Sequence, residues 1–110
     1  MRESAVELYG KNLGKSLGMS SYKWESPGEP GVPDRFFFKE GKTLVVEFKA
    51  PGEKPRPLQR YQIKQLLAKG IPATWADCKK DVDYILHAFD LVKTSGDLLY
   101  LIDEEGNFLL

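Results

Sequence analysis

The stretch GVPDRFFFKEGKTLVVEFKAPG, residues 31–52, decides how the rest of the chain is read. RFFFKE and KTLVVEFKA, on either side of Gly41, are extended runs rich in aromatic and β-branched side chains, and together they read as an antiparallel hairpin. Side chains alternate along a strand, so Leu44, Val46 and Phe48 point to one face of the second run and Val45, Glu47 and Lys49 to the other. Apolar neighbours on both faces, with Phe36, Phe37 and Phe38 beside them, predict a sheet largely covered on both sides. Burying a Phe there is worth about 1.5–3 kcal/mol, whereas an unpaired charge is costly. A carboxylate and an ammonium side by side on such a strand need a chemical reason.

Working outward from the hairpin gives an α/β order. Residues 2–18 form a predicted helix with Val6, Tyr9, Leu13 and Leu17 in one stripe and Gly18 as its stop. SYKWE is a short strand, and SPGEPGVP is a turn region whose prolines and glycines propagate neither ladder nor helix. After the loop PGEKPRP, LQRYQIKQLLAKG is a helix with Ile63, Leu66 and Leu67 inward and Gly70 at its C-terminal cap. IPATWAD is a strand, a further helix runs from about Lys80 to Val92, and DLLYLIDEEGNFLL reads as a last hairpin turning at Glu105 and Gly106. Its Leu98, Leu99, Leu101, Ile102, Phe108, Leu109 and Leu110 offer apolar surface that either a subunit interface or the chain's own domain would cover. One domain over residues 1–110 is expected, with a core over about 1–92 and a hairpin extension over about 97–110.

With 42% hydrophobic and 29% charged residues, the chain can build a core of its own. No apolar run approaches the roughly 20 residues of a membrane span, and MRESAVELYGK interleaves charges instead of building a signal peptide. A cytoplasmic location is expected, with no membrane partner. The single cysteine, Cys78, excludes an internal disulfide and a Cys-based zinc site, and the only histidine, His87, lies in an unrelated apolar stretch. The formal net charge of zero hides an asymmetry. Residues 81–110 hold seven of the sixteen acidic side chains and, in Lys93, one of the sixteen basic ones, which leaves residues 1–80 at net +6. Within that part Lys54, Arg56, Arg60, Lys64 and Lys69 stand against Glu53 alone, a pattern that fits either a phosphate-bearing partner or a solvated helix face.

GKNLGKS, residues 10–16, ends like a phosphate-binding loop but has three residues between its glycines where that loop needs four. It also lies inside the amphipathic first helix with no strand before it, so it is set aside. The hairpin carries the stronger chemistry. Asp34 follows a proline just before one strand, and Glu47 and Lys49 stand about 7 Å apart on the next. Two converging carboxylates suit a hard divalent cation with open positions for water and phosphate, and Lys49 adds positive charge beside a phosphoryl oxygen. The same spacing also occurs in a surface turn followed by an i,i+2 ion pair, so the covered sheet is what favours chemistry.

In their order, Glu3, Lys23, Ser26-Pro27-Gly28, Gly31-Val32-Pro33-Asp34-Arg35, Glu47-Phe48-Lys49-Ala50-Pro51 and Pro57-Leu58-Gln59 resemble a stand-alone VRR-NUC (virus-type replication-repair nuclease) domain of the PD-(D/E)xK nuclease superfamily. The resemblance runs from Glu3 to about Ile85 and leaves the last 25 residues unmatched. It implies a restriction-endonuclease-like fold: a mixed central sheet flanked by helices in α-β-β-β-α-β order, here with an extra C-terminal helix and hairpin. It further implies that Glu3, Asp34, Glu47 and the backbone carbonyl of Phe48 hold Mg²⁺ or Mn²⁺, that Asp34, Glu47 and Lys49 are catalytic, and that Gln59 orients groups in the site. Glu7, one turn beyond Glu3, stays a rival for the helix acid. Lys23, Ser26, Arg35, Lys54, Arg56 and Arg60 become candidate DNA contacts. The implied activity, in a bacterial or phage-infected cell, is a structure-selective DNA endonuclease resembling Holliday-junction resolvases, which on a four-way junction calls for a twofold homodimer, with or without exchanged elements. A nicking or flap-type nuclease and a non-catalytic DNA-binding module with this fold are the alternatives.

Overall fold

The computed structural model describes residues 1–109; Leu110, counted above in the apolar tail, lies outside the described residues. The elements are α1 (Glu3–Ser16), β1 (Ser20–Lys23), β2 (Arg35–Lys39), β3 (Lys42–Phe48), α2 (Pro57–Ala68), β4 (Ala73–Ala76), α3 (Lys79–Leu91) and α4 (Ser95–Leu98), then a 3₁₀ turn over Leu99–Leu101. The expected α-β-β-β-α-β order is therefore present. One sheet runs β1-β2-β3-β4, antiparallel except for the parallel pair β3 and β4. The turn between β2 and β3 is two residues long, and Glu40 (φ 50°) and Gly41 (φ 77°) both take the left-handed conformation that a twisted hairpin demands.

The two faces of β3 are buried in different ways. Phe37, Leu44, Val46, Phe48 and Ala76 face α1, α3 and the C-terminal segment in the larger core, with Val6, Ile85, Leu86, Phe89 and Leu98. On the opposite face Val45 and Ala73 pack against Ile63 of α2. α1 reaches the sheet closely because Gly10 and Gly14 face it: a β-carbon at Gly10 would stand 2.8 Å from the Phe48 ring, and one at Gly14 would stand 2.9 Å from Phe37. This is what the glycines of GKNLGKS do. α2 ends as its sequence suggested, with Gly70 at φ +82°, its N–H donating to Leu67 O and that of Ile71 to Leu66 O.

The C-terminal extension corrects the expected hairpin. Its first arm is helical, because Thr94 and Asp97 cap one another: Asp97 N donates to Thr94 Oγ1 and Thr94 N to Asp97 Oδ2. Only one antiparallel bridge, Ile102 to Phe108, remains of the predicted pairing. The segment docks on its own domain: Leu98, Ile102 and Phe108 join the larger core. Its turn closes over the β4 edge, where Thr74 Oγ1 donates to Gly106 O and Trp75 Nε1 to Asn107 Oδ1.

A β-carbon at Gly106 (φ +86°) would stand 2.4 Å from Ile63 Cγ2. Gly106→Ala should therefore destabilise the fold by about 1–3 kcal/mol through overpacking, whereas Gly52→Ala, with open space at the same kind of backbone, should cost less. Chemical denaturation of the two variants checks the difference. Equal losses would mean that the turn is not packed on α2.

Candidate active site

The carboxylate of Glu47 is the least expected group in the structure, 1% exposed on the α2 face of β3. Parallel pairing fixes its backbone, with Val45 N donating to Pro72 O and Lys49 N to Ala76 O. The β2 ladder ends at Arg35, opposite Val46, and the next N–H on that edge of β3 donates to a side chain instead: Phe48 N to Asp34 Oδ2, at 2.7 Å. That bond draws Asp34 to Glu47. Because the N–H and C=O of one strand residue face the same edge, the Phe48 carbonyl lies on the side that Asp34 occupies.

Gln59 joins the site to α2. Its Oε1 accepts from Arg56 N at 2.8 Å, tying it to the helix N-terminus, and from Lys49 Nζ at 3.4 Å; its Nε2 donates to Glu47 Oε2 at 2.8 Å. Lys49, 5% exposed, also approaches Glu3 Oε2 at 3.8 Å. Oxygens of Glu3, Asp34 and Glu47 all lie within 4.8 Å of one another. Glu47 Oε1 is buried and has no hydrogen-bond partner among the described residues. Burial, and then the neighbouring Asp34, push the Glu47 carboxyl up to about 8; burial likewise raises Asp34, against the Phe48 N–H that favours its charged form. Three carboxylates around one ammonium, one of them with an orphaned inward oxygen, are a donor set that fits a hard divalent cation.

The rival helix acid, Glu7, stands beside the site, where its charge, like that of Glu3, raises the Asp34 carboxyl. Glu7 accepts from Lys23 Nζ at 3.1 and 3.2 Å and from Arg35 Nη2 at 3.1 Å, so it holds two of the candidate DNA contacts in place. Sequence reading missed this clamp, which has no local signal because Lys23 and Arg35 reach Glu7 only through the fold. Ser26 lies in a turn closed by Glu29 N donating to Ser26 O. Lys54 and Arg56 are exposed on the loop into α2, and the Arg56 charge counts among those that favour ionised Glu47. The acidic tail lies against part of the basic segment. Arg60 Nη1 donates to Glu105 O and Asn107 Oδ1 and stands 5.7 Å from the centre of the Trp75 ring, while Lys64 pairs with Glu105 at 3.5 Å.

A mixed four-stranded sheet with acid, acid and lysine gathered at the hairpin defines a small nuclease of PD-(D/E)xK type. The chain is 39% identical over 89 residues to the curated protein "Putative nuclease p44" of Acyrthosiphon pisum secondary endosymbiont phage 1, covering 80% of this chain and 95% of that one. A solved structure described as a VRR_NUC domain superposes with a TM-score of 0.72 at 26% identity, over 77% of this chain and 94% of that one. No protein-family model matches. The chain belongs to the VRR-NUC family and is a nuclease. Among the described residues no helix is long and apolar enough to cross a membrane.

The raised Glu47 pKa makes stability depend on pH. Glu47 binds its proton more tightly folded than unfolded, so its contribution is fully present below about 4.5 and is lost as the pH rises through about 8. In chelator, the thermal midpoint should fall between pH 6 and pH 9, and Glu47→Gln should flatten that fall. Added Mg²⁺ or Mn²⁺ should raise the wild-type midpoint most at the alkaline end. Parallel wild-type and Glu47→Gln profiles from calorimetry would contradict this.

Proposed function

We propose that the chain is a metal-dependent, structure-selective DNA endonuclease, and the observation that carries this reading is the buried Glu47 carboxylate, which has an oxygen within 4.8 Å of oxygens of Asp34 and Glu3 and whose Oε1 has no partner among the described residues. Glu3, Asp34, Glu47 and the Phe48 carbonyl would hold Mg²⁺ or Mn²⁺, which supplies activation of the attacking water and offsets charge building on the phosphoryl group. Lys49 stabilises the negative charge that develops on a non-bridging phosphate oxygen, and its position is kept by Gln59 and Glu3. Gln59 also holds Glu47 in orientation through its Oε2. Lys23 and Arg35, steadied on Glu7, and Ser26 contact phosphates beside the cleaved bond, with Lys54 and Arg56 further out. Arg60 reaches DNA only by giving up its partners in the tail.

The preferred substrate in this reading is branched DNA, with a twofold homodimer cutting a four-way junction on two strands. A flap or nicking activity is the second reading, and a specific observation favours it: one chain supplies every group of the site, and the tail that could have formed a subunit interface is spent on its own domain.

Asp34→Asn, Glu47→Gln and Lys49→Ala should each lower the cleavage rate at least about 100-fold with folded protein retained, and chelator should abolish cleavage. A panel of duplex, flap, single-stranded and four-way DNA in Mg²⁺ or Mn²⁺, run beside light scattering, checks both levels. Wild-type turnover by Glu47→Gln, or in excess chelator, would end the metal mechanism. A monomer that treats junction and duplex alike would leave the nicking activity.

A further inference from the structure

The turn in the C-terminal segment joins the two elements that flank Glu47. On one side is β4, where Trp75 is the strand partner of Glu47 and shares its face of the sheet. On the other is α2, of whose 12 residues only Gln59 and Ile63 are buried. Asn107 bridges them: its Oδ1 accepts from Trp75 Nε1 at 2.8 Å and from Arg60 Nη1 at 2.9 Å, and Arg60 follows Gln59 in the chain. Further ties run beside this one. Arg60 Nη1 also donates to Glu105 O at 2.7 Å, and Thr74 Oγ1 of β4 donates to Gly106 O at 2.8 Å. The turn itself is fixed by Asp103, whose Oδ1 accepts from Glu105 N and Asn107 N at 2.9 Å and whose Oδ2 accepts from Asn107 Nδ2 at 3.2 Å.

Together these contacts close a ring around the buried carboxylate. From Glu47 it runs through Gln59 Nε2 to the first turn of α2, through Arg60 to Asn107, through Trp75 to β4, and back across the strand pairing to Glu47. A helix with Ile63 as its one fully buried apolar side chain is weakly fixed on a sheet by packing alone, and any shift of its first turn is felt at Glu47 and Lys49, the two site groups that Gln59 bonds. We propose that Asn107 is a positioning residue of the nuclease: by tying Arg60 to Trp75 it fixes α2 against β4, and so keeps Gln59 on Glu47 and Lys49. Arg60 acts here as a strut between helix and turn. The role rests on the reading of Gln59, Glu47 and Lys49 as parts of the nuclease site, and it gives the C-terminal segment a share in that site without contact to the reacting atoms.

Asn107→Ala should lower kcat about 10- to 100-fold, the usual cost of losing a partner behind the groups that do the chemistry, and leave KM for DNA within about twofold. Glu105→Gln removes the exposed pair with Lys64 but keeps the Glu105 carbonyl, so its kcat should match the wild type. Because Asn107 acts through Gln59, its removal from a Gln59→Ala protein should cost less than about twofold more; losses that multiply would reveal a structural effect only and overturn the role. A second readout needs neither metal nor DNA. In EDTA, the Gln59 side-chain amide, identified in heteronuclear NMR spectra by its absence from Gln59→Ala, should keep its wild-type position in Glu105→Gln and move towards that of a free amide in Asn107→Ala. Trp75→Phe, which keeps a ring and removes the donor, should move it in the same direction and carries the test if Asn107→Ala does not fold. An unmoved Gln59 signal in the folded variants overturns the inference, whereas a wild-type protein that shows these shifts but cleaves no DNA counts against the nuclease mechanism alone.

Discussion

The burial of one carboxylate organises this protein. Glu47 sits 1% exposed on a strand whose opposite face is core, and an ionised group there is stable only if its surroundings are built for it. Asp34 is held beside it by the Phe48 N–H, Gln59 reaches down from the first turn of α2, and Lys49 follows two residues along the same strand. One Glu47 oxygen is satisfied by Gln59 and the other by nothing among the described residues. That imbalance is costly for a fold and useful for a cation site, and it explains why so many polar groups converge on the end of a hairpin.

α1 links the chemistry to the rest of the molecule. Its glycines bring it against Phe48 and Phe37, which sets Glu3 over the hairpin end and Glu7 beside Lys23 and Arg35. One helix face thus contributes an acid to the site and a clamp for two cations. At the β4 edge the tail does the opposite, engaging Arg60 through the Glu105 carbonyl and the Asn107 amide and pairing Lys64 with the Glu105 carboxylate. The positive excess of residues 1–80 is therefore left uncovered mainly beside α1 and on the loop carrying Lys54 and Arg56.

Much of this was legible in the sequence. The period-two alternation of β3 separated the core face from the site face, and the order of elements followed from turn residues such as Gly41 and Gly70. The apolar spacing of the first helix located Val6 in the core, but it passed over Gly10 and Gly14, whose role is to let the backbone approach and leaves no hydrophobic trace. The tail misled for a related reason: DLLYLI has the apolarity of a strand, while the capping pair Thr94 and Asp97, three residues apart in the chain, starts a helix. Glu3 and Glu7 were not separable by spacing, because the choice depends on where Lys23 and Arg35 lie in three dimensions. The attachment of the acidic turn to Arg60 is a long-range electrostatic contact with no local signature.

Direct titration of Mn²⁺ by calorimetry and electron paramagnetic resonance at neutral pH tests most sharply whether Glu3, Asp34 and Glu47 form a cation site. The donor set predicts saturable binding by the wild-type protein, a weaker site in Glu3→Gln, which keeps the hairpin carboxylates, and loss of binding in Asp34→Asn and Glu47→Gln. Wild-type protein that takes up no Mn²⁺, or variants that bind it as tightly as the wild type, would contradict the assignment of the buried carboxylates.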